Sequence, residues 1–370
     1  MSKRVLITSV TAGYGHKAAA EGIRQALEQR GALCEICDLM GLIGKAPFVL
    51  VDKGYGLATK RIPRTYGFVF EKMSRRTADE SRGIDDWTLR KMLAHALRKE
   101  MERFQPDAVV ATHVFGSMAV DELNSKGRGV ERAYGLVTDY DFHPYWEAVP
   151  LGGDIITGAD LMYLRAERRG IAKSRLLPLG IPVEERFEKE IDKLDARRRV
   201  GIPQNAYVAL MMSGSMGFND FTQEAVNLAK SGVYTLCVCG RNTDMKQELE
   251  AAKEIEGLSN MKVYGFIRDG ELLMAASDCI VTKPGGLTTT EAMTRRLPLL
   301  LWGGIPGQEM RNAEFLSAVG AAIVCKRDLP PSEAVGMLRE SPWRADALKE
   351  AASRIVTPGA AGRIAEEVLA

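Results

Sequence analysis

The chain has 370 residues, of which 46% are hydrophobic and 26% charged, and its formal net charge is +2. This composition excludes disordered and fibrous classes, and the length suggests two globular domains. No apolar run approaches the roughly 20 residues needed to cross a bilayer, and the first apolar stretch is a short strand rather than a signal peptide. We therefore expect a cytoplasmic protein that is soluble or rests on a membrane surface.

Strand and helix signals alternate along the first half of the chain, which predicts a parallel sheet in an α/β fold. Val5–Ser9 is the first predicted strand. Lys17–Arg30 is a predicted helix, because its apolar residues recur at helical spacing and a glycine follows it. Further strands are predicted at Leu33–Leu39, Ala108–Thr112 and Ala133–Thr138. The cysteines fall largely in strand-like runs, so we expect buried thiols in a reducing compartment rather than disulfides or a zinc site.

A second series of strand and helix signals follows the turn at Gly180-Ile181-Pro182. The charged stretch from Glu184 to Arg199 predicts a linker and a leading helix. Strands are then predicted at Tyr207–Met212, Tyr234–Cys239, Lys262–Tyr264, Cys279–Thr282, Pro298–Trp302 and Ala321–Cys325. We expect two Rossmann-like domains facing across a cleft, over residues 1–179 and 180–355, with a last helix at about 356–370 packing back on the N-terminal domain.

A glycine loop follows the first strand directly. Gly13-x-Gly15-x-x-Ala18, with Asp38 further along, matches the pattern of a dinucleotide-binding turn and favours a nicotinamide dehydrogenase. Against this, the residue after the second glycine is His16, a bulky titratable ring at the place where a pyrophosphate needs close approach. A neutral imidazole can take a proton from a hydroxyl group, so His16 is a candidate general base. The alternative is a polar loop residue that only caps the helix.

The densest chemical pattern lies between Cys279 and Asn312. A strand runs into Lys283-Pro284-Gly285-Gly286 and then a helix, and free N–H groups at a helix start form an anion site. Glu291 lies one turn into that helix, where it can reach ribose hydroxyls, although with Thr288 it also forms a capping box. Further on, Gln308-Glu309 offers an amide and a carboxylate, which are suited to hydrogen-bond the hydroxyls of a hexose.

These motifs resemble those of a known family. Lys-Pro-Gly-Gly-x-Thr-x-x-Glu-Ala from Lys283, followed by Pro-Gly-Gln-Glu from Pro306, is similar to the lipid-directed branch of the GT-B glycosyltransferases. This branch contains the monogalactosyldiacylglycerol synthases of plastids and the processive diacylglycerol glucosyltransferases of Gram-positive bacteria. The resemblance covers nearly the whole chain, including Gly13-Tyr14-Gly15-His16, Val137-Thr138-Asp139, His143-Pro144-x-Trp146, Gly180-Ile181-Pro182 and Cys239-Gly240-Arg241-Asn242.

The resemblance implies a GT-B fold and inverting transfer of glucose or galactose from a UDP-sugar to diacylglycerol or a glycolipid, which forms a β-glycoside. The UDP-sugar is a substrate, so no cofactor is expected, and nucleic acid is not an expected partner. The implied donor-binding residues are Gly214, Ser215, Arg241, Phe266, Ile267, Lys283, Gly285, Gly286, Thr288, Glu291, Gly307, Gln308 and Glu309. The implied acceptor-binding residues are Gly13, Gly15, His143 and Trp146.

The identity of the base stays open at this point. Plastid enzymes carry an Asp just before the glycine loop, whereas here that segment is Val10-Thr11-Ala12. Either His16 acts alone or Asp139 supplies the carboxylate. Asp139-x-Asp141 also has the spacing of a metal-dependent glycosyltransferase motif, but that class has a different fold, and Mg²⁺ would need substrate phosphate nearby. We therefore expect no bound metal.

The stretch from Gly41 to Arg76 combines basic and aromatic side chains. It holds eight Lys or Arg residues against two acidic ones, together with five Phe or Tyr residues. Basic side chains near anionic lipid and aromatic rings at the interface both favour membrane binding, so we expect a peripheral protein on the inner face of the cell membrane. A solvated basic face over an ordinary core is the alternative. Two other functions share the predicted donor site, a UDP-sugar 2-epimerase and a nucleotide-sugar-binding sensor.

Overall fold

The computed structural model describes residues 2–10, 14–43, 84–214 and 220–370. The chain divides into two compact units. The first unit comprises Met1–Glu184, Ile305–Gln308 and Thr357–Ala370, and the second comprises Glu185–Gly304 and Glu309–Val356. Gly13, Ser215 and most of the basic and aromatic stretch, from residue 44 onward, lie outside the described residues.

The described part of the first unit contains a six-stranded sheet in the order β2-β1-β3-β4-β5-β6, with neighbouring strands parallel. The strands are β1 Arg4–Ser9, β2 Leu33–Asp38, β3 Ala108–Ala111, β4 Arg132–Leu136, β5 Asp154–Ile156 and β6 Leu176–Leu177. The helices are α1 Tyr14–Glu28, α2 Leu39–Ile43, α3 Ile84–Phe104, α4 Val114–Asn124 and α5 Tyr163–Arg168. Short 3₁₀ helices span Pro144–Ala148, Asp160–Met162 and Lys173–Arg175.

β1 is buried on both of its faces. Val5 and Ile7 pack in one core cluster with Ile23 of α1, and Leu6 packs in another with Leu93 of α3; all five side chains are fully buried. A central parallel strand covered on both faces requires such a continuous apolar run. Because both faces of the sheet are covered, its functional groups are expected at the carboxyl ends of the strands.

The second unit contains another six-stranded parallel sheet within its described residues, in the order β12-β11-β10-β7-β8-β9. The strands are β7 Val208–Met212, β8 Tyr234–Val238, β9 Met261–Tyr264, β10 Cys279–Thr282, β11 Leu299–Leu301 and β12 Ala322–Val324. The helices are α6 Glu185–Glu188, α7 Lys193–Val200, α8 Thr222–Lys230, α9 Thr243–Ile255, α10 Gly270–Ala276, α11 Gly286–Thr294, α12 Gln308–Ala318, α13 Pro331–Glu340 and α14 Pro342–Ser353.

The last helix, α15 Ala360–Leu369, packs in the first unit against α1. Its buried face contains Ile364, Ala365 and Val368, which join the core cluster around β1. Two polar contacts fix the C-terminal half of this helix: Lys3 Nζ donates to the Leu369 carbonyl at 2.6 Å, and Arg30 pairs with Glu366 at 2.8 Å. The chain therefore completes the core of its first unit with its final helix.

The predicted strands are confirmed, with ends that differ by one or two residues. The sequence patterns missed β5 and β6, which are short; β6 is an edge strand of the sheet and β5 pairs with it. All six cysteines are free, and five of them are buried. In the stretches of chain that the structure describes, no helix combines the length and the apolar character that crossing a membrane requires.

Candidate active site

Three histidines lie where strands of the first sheet end. His16 is in the first turn of α1, which follows β1; His113 follows β3; and His143 follows β4. The carboxyl ends of parallel strands all lie on the same side of a sheet. Residues that are distant in sequence therefore come together there. The rings of His16 and His113 are in contact, with centroids 4.7 Å apart and planes at 82°.

The His16 ring is held by the end of β3. Its Nδ1 lies 2.6 Å from the carbonyl oxygen of Thr112, and the Thr138 hydroxyl is 3.2 Å from the same nitrogen. A carbonyl oxygen can only accept, so Nδ1 must carry the proton and donate it. In the neutral ring this leaves the lone pair on Nε2. His16 thus has the tautomer that a general base acting through Nε2 requires.

The surroundings of His16 keep the ring neutral. Burial lowers the pKa of His16 below its ordinary value of 6.5, and the hydrogen bond to Thr112 opposes this shift in part. The position in the first turn of α1 acts in the same direction as burial, because the positive end of the helix dipole disfavours a cation. At neutral pH the imidazole is therefore available to take a proton.

His113 and His143 each cap a helix through Nδ1. The Nδ1 of His113 accepts the Phe115 backbone N–H at 3.2 Å at the start of α4, and that of His143 accepts the Tyr145 N–H at 3.3 Å. The pKa of His113 is lowered well below 6.5, first by burial and then by repulsion from His16 and His143. Sequence reasoning missed His113, although its place directly after a buried strand was a usable signal.

The Asp139-x-Asp141 pattern separates into two environments. Asp141 is 3% exposed and lies 3.4 Å from the Arg165 guanidinium and 4.0 Å from that of Arg169, so its carboxylate is part of an ion-pair cluster. Asp139 is half-buried and directly follows Thr138, whose hydroxyl lies beside the His16 ring. Within the described ranges no three His, Cys, Asp or Glu side chains are grouped to hold a metal ion.

The predicted acceptor-binding residues occupy different environments. His143 and Gly15 are half-buried, Gly13 lies outside the described residues, and Trp146 is only 4% exposed. A Cβ atom built on Gly135 of β4 would come within 2.6 Å of the Trp146 ring, so this ring packs closely against the strand. Asp38, the acid of the dinucleotide pattern, accepts the Met40 N–H at 3.1 Å at the start of α2.

In the second unit, the Lys283-Pro284-Gly285-Gly286 turn joins β10 to α11. The helix begins at Gly286 with Gly285 as its N-cap, and no side chain caps it. The hydroxyls of Thr289 and Thr290 turn back to the carbonyls of Gly285 and Gly286, at 2.8 and 2.7 Å. The capping-box alternative is wrong, because it places the N-cap at Thr288, which lies inside the helix. Free N–H groups at this end of α11 are suited to bind an anion.

Lys283 and Glu309 form an ion pair beside this turn, with side chains 20% and 13% exposed. Gly214, at the end of β7, makes room for the lysine: it has a φ of +77°, and a Cβ there would lie 2.6 Å from Lys283 Cε. Asn312 of α12 is fully buried and donates to the Pro284 carbonyl at 3.0 Å. The structure thus brings together the turn, Lys283 and Glu309, three of the predicted donor-binding elements.

The remaining donor-binding candidates lie at loops and helix starts. Arg241 follows β8, and its guanidinium lies 5.9 Å from the ring centre of Phe266, which follows β9 and is 44% exposed. Ile267, next in the chain, and Glu291 in α11 are half-buried. Gly307 and Gln308 belong to the first unit, although Gln308 is also the first residue of α12, and Gln308 Nε2 donates to the Asp141 carbonyl at 2.6 Å.

Comparison with known proteins shows which proteins this chain resembles. The family model for monogalactosyldiacylglycerol synthase matches residues 16–183. A processive diacylglycerol β-glucosyltransferase of Bacillus cytotoxicus is 28% identical over 376 residues, which cover 99% of this chain and 93% of the relative. The resemblance inferred from the motifs is confirmed: this protein is a glycosyltransferase of the GT-B fold.

Solved structures agree on the fold of this glycosyltransferase. MurG of Acinetobacter baumannii has a TM-score of 0.59 at 16% identity over 99% of both chains. A UDP-GlcNAc 2-epimerase of Neisseria meningitidis, bound to UDP-GlcNAc, has a TM-score of 0.60 at 13% identity, also over 99% of both chains. Transferases and an epimerase thus share the architecture, so the fold alone does not separate these activities.

The tautomer and the pKa of His16 can be measured directly. We expect two-dimensional ¹⁵N–¹H NMR of the wild-type protein to show a protonated Nδ1, because only a donor suits the Thr112 carbonyl. The ring should titrate below pH 6.5, since burial disfavours the cation. His16→Asn assigns the signal by its loss. A neutral ring that carries its proton on Nε2, or a His16 pKa at or above 6.5, would contradict this geometry.

The Lys283–Glu309 pair can be tested by a double-mutant cycle. Lys283→Met should destabilise the protein because it leaves the Glu309 carboxylate largely buried without its cation, whereas adding Glu309→Gln should recover part of the loss. We expect a coupling free energy of about 1–3 kcal/mol from urea unfolding. Additive effects of the two substitutions would show that the residues do not interact in solution.

Proposed function

We propose that this protein transfers a hexose from a UDP-sugar to the hydroxyl group of diacylglycerol or of a glycolipid, with inversion at the anomeric carbon. The observation that carries the proposal is the His16 ring, whose Nδ1–H is fixed on the Thr112 carbonyl so that Nε2 is the basic atom. The similarity to diacylglycerol glucosyltransferases over 99% of the chain supports the choice of a lipid acceptor.

In the proposed reaction, His16 Nε2 takes the proton of the acceptor hydroxyl. The acceptor oxygen then attacks the anomeric carbon from the side opposite the nucleotide, and the bond from that carbon to the UDP oxygen breaks. Its electron pair leaves with UDP, and the α-linked donor becomes a β-glycoside. Asp139 follows the Thr138 hydroxyl that lies beside the His16 ring, and we assign it the stabilisation of the imidazolium that forms.

The leaving UDP is stabilised at the start of α11 in this proposal. Its diphosphate accepts from the free N–H groups after Gly285, where the helix dipole also favours negative charge. Glu291, one turn further along the helix, binds the ribose hydroxyls. Gln308 and Glu309 bind the hexose hydroxyls, and Lys283 keeps the Glu309 carboxylate in place through their ion pair.

The acceptor side is assigned to the first unit. His143 is half-buried and follows β4 at the same side of the sheet as His16, and Gly13 and Gly15 precede the base in sequence. Trp146, packed closely against β4, is assigned to this site by the resemblance. We assign the contact with an anionic membrane to the basic and aromatic stretch from Gly41 to Arg76, and we expect the enzyme on the inner face of the cell membrane.

The experiment that tests the function supplies UDP-glucose and UDP-galactose separately, with diacylglycerol in vesicles with or without anionic lipid. We expect a hexosyl-diacylglycerol in the mass spectrum of the extracted lipids, with more product on anionic vesicles. The donor that yields product identifies the sugar, and an NMR coupling typical of a β-anomer identifies the stereochemistry. Turnover of the UDP-sugar to an epimer without any acceptor would contradict the transferase and indicate a 2-epimerase.

The proposed base is tested by paired histidine variants. His16→Ala should lower kcat for hexosyl transfer by about 10²–10⁴-fold, which is the usual size of general-base catalysis, while UDP affinity stays unchanged. His95→Ala is the matched control, because His95 is exposed on α3 and should leave turnover as in the wild type. Near-wild-type turnover of His16→Ala would remove this residue from the mechanism and leave Asp139 as the base.

A further inference from the structure

The ring of His113 contacts the ring of His16, the proposed base. His113 lies directly after Thr112, the residue that fixes the tautomer of His16. Thr112 provides the carbonyl oxygen for His16 Nδ1–H, and the next residue, His113, places its ring edge-to-face against the His16 ring at 4.7 Å. On its other side the His113 ring meets the Phe115 ring, with centroids 4.5 Å apart and planes at 69°. The plane of the His16 imidazole is therefore set by a hydrogen bond and a ring contact from adjacent residues.

The His113 ring is itself held in place by α4. Its backbone is extended at the N-cap, with φ of −141° and ψ of 146°, and its Nδ1 accepts the Phe115 N–H. Protonation of Nδ1 would break this bond and place a cation at the positive end of the helix dipole. His113 therefore stays neutral under conditions in which His16 can gain a proton, and it presents an uncharged ring that cannot solvate the imidazolium of His16.

We propose that His113 is a positioning residue for His16: its capped ring fixes the orientation of the His16 imidazole and shields it from water. The neutral form of His16 is thereby favoured, and Nε2 keeps the direction set by the Thr112 hydrogen bond. The effect on catalysis rests on the proposed function of His16 as base, whereas the effect on the His16 ring itself does not.

Other titratable groups lie on the elements around His16. Lys17 and Glu21 are on α1 itself, Asp139 follows β4, and His143 lies near enough to His113 to affect its protonation. Substitutions at position 113 leave all four unchanged. A change in the titration of His16 in such variants therefore reports the loss of the neighbouring ring.

Two substitutions separate the effect of the His113 ring from the effect of the N-cap that His113 provides for α4. His113→Asn keeps a good N-cap acceptor for α4 but removes the aromatic ring from the face of His16. His113→Phe keeps a ring of similar shape in contact with His16 but removes the cap acceptor. If His113 acts only as the N-cap of α4, His113→Asn should leave the protein unchanged and His113→Phe should destabilise it. If His113 positions His16, His113→Asn should change the pKa of His16 and His113→Phe should not.

The test is the pKa of His16 measured by NMR in wild type, His113→Asn and His113→Phe, together with the pH dependence of kcat and KM for hexosyl transfer. In His113→Asn we expect the pKa of His16 to rise toward 6.5 and the acid limb of kcat to move upward with it, while KM for the UDP-sugar is unchanged. For each unit by which the pKa of His16 rises, kcat measured at a pH below that pKa should fall by about tenfold. His113→Phe should keep the lowered pKa.

An unchanged His16 pKa in His113→Asn would overturn the proposal, and so would a rise of the same size in both variants. Circular dichroism of each variant checks that α4 and the unit around it are folded. If His16→Ala retains full turnover while the NMR shift in His113→Asn occurs as expected, the general-base role fails but the positioning of His16 by His113 stands. The two failures are therefore distinguishable.

Discussion

The hydrogen bond from His16 Nδ1 to the Thr112 carbonyl is the interaction on which the proposed chemistry depends. It exists because β1 and β3 are neighbours in a parallel sheet, with Thr8 opposite Ala111. Thr112 continues this register, since its N–H donates to the Thr8 carbonyl at 2.9 Å. The end of β3 is thereby fixed beside the end of β1, and the sheet determines which imidazole nitrogen of His16 keeps its lone pair.

The second unit uses the same strand-end geometry for a different purpose. There the end of β10 turns through two glycines into α11, whose first N–H groups have no side-chain cap. The ion pair of Lys283 and Glu309 and the bond from Asn312 to Pro284 connect this turn to α12. One parallel-sheet architecture therefore places a hydrogen-bonded imidazole at a strand end of the first unit and a helix start without a side-chain cap at a strand end of the second.

Much of this could be predicted from sequence, because parallel strands are continuous apolar runs and the glycine motifs have local spacing. The contacts of His16 could not, since Thr112 lies 96 positions away in the sequence and no local pattern indicates which carbonyl the His16 ring meets. Asp141 was ambiguous for the same reason: its arginine partners come from α5 and the residue that follows it. The role of Glu291 was ambiguous from sequence because Thr288 and Glu291 have capping-box spacing, whereas the structure begins the helix at Gly286 and leaves Thr288 inside it.

The most direct test of the central claim is the pH profile of kcat/KM for hexosyl transfer by the wild type and by His16→Gln. For the wild type we expect a single acid limb at the pKa that NMR assigns to His16, below 6.5, because the base must be unprotonated. Activity should be lost as the pH falls through that pKa, and the residual activity of the variant should lack this limb. A limb that persists unchanged in His16→Gln would show that another group is the base.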